Sequence, residues 1–292
     1  MKIQGKIRLA MSGALLVGVM LASVGAYFIV TRNAVEDSLR NARIMMEGAT
    51  AIRTYTSENV SPLLQQRMKV EFLTSAIPTF AVQSNVQLIQ RKLPEYTYRE
   101  PTLNPTNPSN KAREWEADII NEFRDHPDKP ELVLTRETPA GPLLTLARPL
   151  KVGSERCLVC HSTAEKAPPT MTALYGAQNG FGWKLGEIVG AQVVSIPLAV
   201  PLERAQHTLL LFVAALIGSF IVVILMVYLL LSFILVKPVR EMSDMASEIS
   251  LGKLNAPELV SRSRDEIGSL AASFNRMRRS LQESLKMLEM QR

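Results

Sequence analysis

Cysteine and histidine are scarce in this sequence, which has two Cys and three His among 292 residues. A structural zinc site needs about four such ligands, and neither a second C-x-x-C nor an H-x₃₋₅-H pattern occurs. No internal repeat or low-complexity tract is present, so the composition does not indicate a repeat array or a disordered linker. The composition therefore argues against a structural zinc site.

Charge is absent from two long stretches, residues 9–30 and 208–236. Each exceeds the ~20 apolar residues that cross a bilayer core of ~30 Å, and neither shows the polar face of a buried core helix. A cleaved signal peptide is the alternative for the first stretch, but signal h-regions usually span only about 7–15 residues. We therefore predict two membrane helices, the first of them an uncleaved anchor.

Basic residues precede the first apolar stretch and follow the second. Residues 1–8 carry a net charge of +3, and Lys237 and Arg240 follow the second stretch. By the positive-inside rule both termini, 1–8 and 237–292, are cytoplasmic and residues 31–207 face outward. Most of the net charge of +6 lies in these cytoplasmic ends, so no nucleic-acid partner is needed to explain it.

The outward segment is predicted to be α+β. Apolar residues recur at three- and four-residue steps in its first part, whereas Val, Leu and Thr partly alternate in the second. The predicted helices are residues 34–75, 76–92 and 111–123, the predicted strands are 131–138, 143–152 and 188–198, and residues 94–110 are predicted to be an irregular loop.

The motif Cys157-Leu158-Val159-Cys160-His161 is typical of c-type haem attachment. Two thiols at this spacing add to the two haem vinyl groups, and the adjacent imidazole becomes the proximal iron ligand. A disulfide, a thioredoxin-like redox pair and a metal site are the alternatives, but the βαβ context of thioredoxin is missing. We predict one covalent haem c held by Cys157, Cys160 and His161.

The sixth iron ligand decides what such a haem does. Both cysteines are used in thioethers, His207 adjoins the second apolar stretch, and His126 lies in a polar loop. The methionines of this segment are more often core fillers than ligands. A single haem suits a sensor of ligand or potential, or the transfer of one electron between two partners.

Several stretches of the outward segment match a known family, namely Ala51-Ile52-x-x-Tyr55, Asn104-Pro105-x-Asn107, Trp115-Glu116, Ala147-Arg148-Pro149, the haem motif and Asn179-Gly180-Phe181-Gly182-Trp183. With these stretches the segment resembles a family of exported single-haem sensor domains with a PAS-like fold. We expect the protein to lie in the bacterial inner membrane.

In some members a cysteine of the N-terminal helix is the second axial ligand, and Tyr55 stands at its position here. Tyr55 then ligates the iron as phenolate, hydrogen-bonds a bound ligand, or only packs. Arg148, Asn104 and Asn107 are candidate donors to the haem propionates, and Trp115 is a candidate to pack on the ring. For Arg148 the alternative is a surface salt bridge.

Residues 237–292 show apolar residues at three- and four-residue steps on two helices joined by a connector at Gly252-Lys253-Leu254. Such an apolar stripe must be buried against other helices, so four helices from two chains are expected. The segment resembles a HAMP domain, with Pro238, Glu266, Gly268 and Asn275 as its marks. The resemblance implies a parallel homodimer that relays a signal.

The expected function is transmembrane signalling by a haem sensor, responding to redox state or a small gas, through a separate cytoplasmic output protein. A membrane-anchored monohaem cytochrome, passing electrons to a periplasmic redox partner, is the alternative. The HAMP pattern argues against it because anchoring needs only one helix. We find no His/Arg pair of the kind that a peroxidase uses on the distal side of its haem. We therefore do not expect an enzyme.

Overall fold

The computed structural model describes residues 3–251, 258–259 and 265–290. It divides into two compact units, Val24–Leu210 and the combination of Met1–Ser23 with Leu211–Arg292. The described helices are α1 (Ile3–Tyr55), α2 (Ser61–Leu64), α3 (Pro78–Gln90), α4 (Glu114–Asp125), α5 (Glu155–His161), α6 (Pro169–Tyr175), α7 (Ala199–Leu231), α8 (Lys237–Ser250) and α9 (Glu266–Met290). Two π-helical turns, Thr56–Val60 and Ser232–Val236, follow α1 and α7.

The unit Val24–Leu210 is built on a four-stranded antiparallel sheet in the order β1-β4-β3-β2. Its strands are β1 (Thr97–Arg99), β2 (Leu132–Thr138), β3 (Gly141–Lys151) and β4 (Ile188–Pro197). The predicted hairpin is β2–β3, which closes at Gly141 with a φ of 104° that favours glycine. The central strands β3 and β4 pair over most of their length, so they form the rigid middle of the unit.

Both faces of the sheet are covered by helices. On one face α1 and α3 pack through Met46 and Val82 against Leu146 and Val194 of the central strands. On the other face α4 packs through Ile120 and Phe123 against strand residues that include Val193. Neighbouring positions of β4 therefore point to opposite cores, as the period of a strand requires.

A buried polar network ties α1 to the sheet. Glu100, whose side chain is fully buried, accepts hydrogen bonds from Arg53 of α1 and from the Tyr98 hydroxyl, the latter at 2.6 Å. Gln192 of β4 donates to the same hydroxyl at 2.9 Å. Burial and the adjacent Glu100 carboxylate raise the pKa of Tyr98, so the phenol stays protonated and serves as a donor.

The predicted α+β class is confirmed, and two of the predicted elements need correction. The stretch 94–110, predicted to be a loop, contains the short edge strand β1, which pairs with β4. The helix predicted over 34–75 is regular only to Tyr55. Pro62 has no backbone N–H to donate, and the chain before it forms a π turn rather than an α turn.

Two helices, spanning Gly5–Leu64 and Ala199–Ser250 with their π turns, are long and apolar enough to cross a membrane. They contain both uncharged stretches of the sequence. Together with the helical segment after α7, this is consistent with an inner-membrane protein.

The segment after α7 places α8 against α9 within one chain. Met242 and Ala271 are buried there, and the Asn275 side chain hydrogen-bonds the N–H and the C=O of Leu259, at 3.1 and 2.9 Å. The predicted connector at residues 252–254 lies outside the described residues. Among the described residues of the two helices, the exposed large apolar side chains are Val239, Leu270, Met277, Leu281 and Met287.

Candidate functional site

The Cys-Leu-Val-Cys-His motif forms α5, a seven-residue helix that follows the end of β3. Cys157 and Cys160 are three residues apart and so lie on one helix face, and both are free and half-buried. Burial, with a smaller contribution from Cys157, raises the pKa of the Cys160 thiol. The strands before and after the motif, β3 and β4, pair antiparallel, so the βαβ context of a thioredoxin-like redox pair is absent here.

His161, the last residue of α5, has a fixed tautomer. Its Nδ1 lies 2.7 Å from the carbonyl oxygen of Gly180, which can only accept a hydrogen bond, so Nδ1 must carry the proton. The other ring nitrogen, Nε2, then bears the lone pair that a metal needs. Burial lowers the pKa of His161, against a smaller opposing effect of the Gly180 carbonyl, so the imidazole is held neutral.

The indole of Trp183 holds the plane of that imidazole. The two rings stack with centroids 3.8 Å apart and an angle of 11° between their planes. The backbone of the same loop also clamps the end of α5, because Trp183 N–H donates to His161 C=O at 3.1 Å and Gly182 N–H donates to Ser162 C=O at 2.9 Å. The side chain of His161 is thus oriented by two contacts from one loop, the hydrogen bond to Gly180 C=O and the stacking of Trp183.

A close approach of two loops requires glycine at position 180. Gly180 has a φ of 84°, and a Cβ there would collide with Thr106 of the preceding loop. The Thr106 hydroxyl lies 3.5 Å from Nδ1 of His161. The loop that contains Asn104 and Asn107 therefore borders the histidine site.

The end of α1 also contacts this region. Arg156, next to Cys157, donates from Nη1 to the carbonyl of Ser57 in the π turn at 3.2 Å. Thr170 of α6 donates to the carbonyl of Met68 at 2.5 Å. The motif helix is thus tied to the π turn that follows α1, whose last residue Tyr55 is 63% exposed, and the next helix is tied to the short turn at Met68.

Comparison with known proteins gives two matches of family models. A model described as Tll0287-like matches residues 31–197, which is more than half of the chain. The chain belongs to the Tll0287-like family. A HAMP domain model matches residues 230–283, so a C-terminal HAMP domain follows the second apolar helix.

Among solved structures, the cyanobacterial haem protein Tll0287 is similar to this chain at 17% identity with a TM-score of 0.44. That match covers 55% of this chain and 95% of the other. No curated protein matches the chain.

Of three other residues predicted for the haem pocket of this Tll0287-like chain, Arg148 and Asn107 are engaged locally. Arg148 pairs with Glu47 at 2.7 Å and with Glu131 at 3.6 Å. The Asn107 side chain accepts a hydrogen bond from Ser109 N–H at 3.0 Å, and Asn104 is exposed. The ion pairs of Arg148 agree with the alternative of a surface salt bridge.

Trp115 lies on α4, on the opposite face of the sheet from α1. Its ring sits under the guanidinium of Arg136, whose central carbon is 3.8 Å from the ring centroid. It also packs against the core that Ile120 and Phe123 build. The structure therefore places Trp115 beside Arg136 and away from His161, whose ring is stacked by Trp183 instead.

Sequence reasoning missed Trp183, Gly180 and Thr106 as site residues. The available signal was the stretch Asn179–Trp183, which supported the family resemblance but carried no chemical role. His126 is exposed and lies 3.4 Å from the Glu122 carboxylate, and the buried Met46, Met68 and Met171 fill the core. Within the described part of the chain, no group of three or more His, Cys, Asp or Glu could hold a metal ion.

Proposed function

We propose that this protein is a signal transducer of the bacterial inner membrane. Its periplasmic domain holds one covalent haem c through Cys157, Cys160 and His161 and reports the state of that haem through the HAMP domain to a separate output protein. The observation that carries the proposal is the hydrogen bond from His161 Nδ1 to Gly180 C=O, which leaves Nε2 available as an axial donor. Membership of the Tll0287-like family and the HAMP match support it.

The residues present fit a c-type haem. The two thiols are unpaired and on one helix face, and the imidazole is neutral and stacked on Trp183. When bound, the haem supplies an iron that changes oxidation state or takes a small ligand. The role of the chain is to fix the porphyrin edge with the cysteines and to keep His161 in one tautomer and one plane.

We assign the distal side to Tyr55 and the propionate side to Asn104 and Asn107. Tyr55 is exposed at the end of α1, close in sequence to the π turn that Arg156 of the motif helix contacts. The two asparagines share a loop with Thr106, which reaches His161. Arg148 would have to release Glu47 to donate to a propionate.

The signal path that we propose runs through α1 and β4. The hydrogen bond from Arg156 to Ser57 joins the motif helix to the end of α1, and α1 is continuous from Ile3 to Tyr55. Strand β4, which lies in the middle of the sheet, leads into α7. A change at the haem site would therefore reach both apolar helices, which can bias a two-state HAMP bundle.

The homodimer is proposed from the exposed apolar side chains of α8 and α9. Leu270, Met277 and Leu281 recur at seam spacing on α9 and are between 44% and 54% exposed in a single chain. A second copy in parallel would bury them. With the basic flanks on the cytoplasmic side, the HAMP domain and both termini are inside the cell and the haem site is outside.

Covalent attachment is tested with the full-length protein, purified from cells that carry out c-type haem maturation. Haem should remain on the chain after denaturing electrophoresis, and the pyridine haemochrome should have the band position of two thioethers. Cys157→Ala together with Cys160→Ala should remove this haem. His126→Ala, which changes an exposed histidine, is the control for His161→Ala, which alone should alter the axial spectrum.

A chain without covalent haem, or His126 and His161 variants with the same spectrum, would contradict the proposal. Spectra of the ferric and ferrous protein with carbon monoxide or nitric oxide then separate gas sensing from redox sensing. Binding at an open site supports the first. A low-spin haem that is inert to both gases supports redox sensing or the alternative, an anchored cytochrome.

A further inference from the structure

A second cavity lies on the α4 face of the sheet, outside the histidine site. Its volume is about 480 Å³, and it is lined by β1, β2, β3, β4 and the start of α4. This volume falls in the usual range for small-molecule sites, about 300–1,000 Å³. The cavity shares no lining residue with the motif helix α5 or the end of α1.

Three arginines from different elements converge on this cavity, namely Arg99, Arg113 and Arg136. Arg99 is neutralised by Glu116, whose side chain is fully buried, with Nε and Oε1 3.0 Å apart. Among the described residues, Arg113 and Arg136 make no side-chain ion pair with a carboxylate. Glu95 is the other acidic residue of the lining and is exposed, so the cavity carries one more cation than anions.

The polar groups that remain for a ligand are mainly guanidinium donors. The Thr97 hydroxyl donates to Ser195 C=O at 3.2 Å, and the Thr138 hydroxyl donates to Gly141 C=O at 2.7 Å. The plane of Arg136 lies over the Trp115 ring, which fixes the guanidinium and leaves its edge free to donate.

The rest of the lining is apolar. The apolar lining residues beside the arginines include Trp115, Leu143, Val193 and Pro197. Planar guanidinium groups match carboxylates in a two-bond geometry, and an apolar wall binds a hydrocarbon body. We propose that this cavity binds a small organic carboxylate with an apolar or aromatic body, with Arg113 and Arg136 on the carboxylate and Trp115 on the body.

This site would give the periplasmic domain a second chemical input beside the histidine site. Val193 of the cavity and Val194 of the α1 face are neighbours on β4, so a ligand in the cavity would press on a strand that α1 packs against. The proposal stands on the cavity alone and does not require haem to be attached.

The test is isothermal titration calorimetry of the full-length protein in neutral-lipid nanodiscs with benzoate and with benzamide. Benzamide has the same ring and shape but no charge. We expect saturable binding of one benzoate per chain, and binding of benzamide at least about tenfold weaker, because a charge-assisted hydrogen bond exceeds a neutral one by about 1.4 kcal/mol or more. This comparison uses the unaltered protein, so it decides the matter even if a variant fails to fold.

Arg113→Gln and Arg136→Gln should each weaken benzoate binding about tenfold or more. Arg91→Gln is the matched control, since Arg91 is exposed on the end of α3 and lies outside the cavity. Equal affinities for benzoate and benzamide, no saturable benzoate binding, or the same affinity in the Arg136 and Arg91 variants would overturn the proposal. Binding of inorganic phosphate in place of benzoate would also overturn it.

Discussion

Replacing Gly180 by alanine should cost more stability than the same change at Gly182, two residues away in the same loop. Both glycines have a positive φ, 84° and 82°, where a side chain costs about 1–3 kcal/mol. A Cβ at Gly182 meets nothing within 4 Å. A Cβ at Gly180 would lie 2.8 Å from the backbone nitrogen and 2.9 Å from the Cα of Thr106, and even closer to its hydroxyl oxygen.

The collision adds a second cost because the Thr106 backbone cannot rotate away as a flexible side chain would. Overpacking of this kind costs about 1–3 kcal/mol more. For a domain of about 150–250 residues, each kcal/mol lowers the melting temperature by about 2–4 °C. We therefore expect Gly180→Ala to melt about 2–12 °C below Gly182→Ala, and both to melt below the wild type.

Circular dichroism melts of the three full-length proteins give the stability difference. Hydrogen exchange then locates the difference, because displacement of the Gly180 loop should expose the amides of Gly182 and Trp183, which donate to Ser162 C=O and His161 C=O. Equal melting temperatures for the two alanine variants would refute the reasoning, since the φ strain is the same and only the contact with Thr106 differs.

Three further results follow from the structure. Arg53→Ala should cost about 3–5 kcal/mol in denaturant unfolding, because its fully buried glutamate partner is left unpaired. Arg32→Ala, which removes an exposed pair on the same helix, should leave the free energy of unfolding almost unchanged; similar losses in the two variants would contradict a buried network. Leu270→Lys should lower the dimer fraction in analytical ultracentrifugation, whereas Ala272→Lys on the outer helix face should not. An unchanged dimer fraction in the Leu270→Lys protein would contradict a dimer interface at the exposed apolar side chains of α9. Tyr55→Phe should change the ferric bands or carbon monoxide binding, and unaltered spectra would rule out both functional roles of the hydroxyl.

The elements that the sequence predicted well are those with a local signal. The β2–β3 hairpin has an alternating pattern on both sides of a Pro-Gly turn, and β4 is a buried run that ends at Pro197. The apolar stretches predicted as membrane helices lie in two helices that are long and apolar enough to cross a membrane. Such elements can be predicted because the hydrophobic periodicity and the turn residues that specify them lie within a few positions of one another.

Features that depend on distant contacts were not predictable from the sequence. Strand β1 has only three residues in a proline-rich stretch, and it exists because Tyr98 pairs with Val194 almost a hundred positions later. Trp183 stacks on His161 across an irregular, glycine-rich stretch of the chain, and that stretch has no sequence periodicity that would predict the contact. Trp115 was predicted beside the haem from its place in a family motif, and the fold brings it to Arg136 instead.

The chain has only two tryptophans, and the fold places one at each of the two sites. Trp183 lies on the histidine ring, while Trp115 lies under Arg136 in the second cavity. Intrinsic tryptophan fluorescence therefore reports on both sites without any added label. The tryptophan emission of a Trp183→Phe protein would come from the cavity alone, and that of a Trp115→Phe protein from the histidine site alone, so each site can be followed in its own variant.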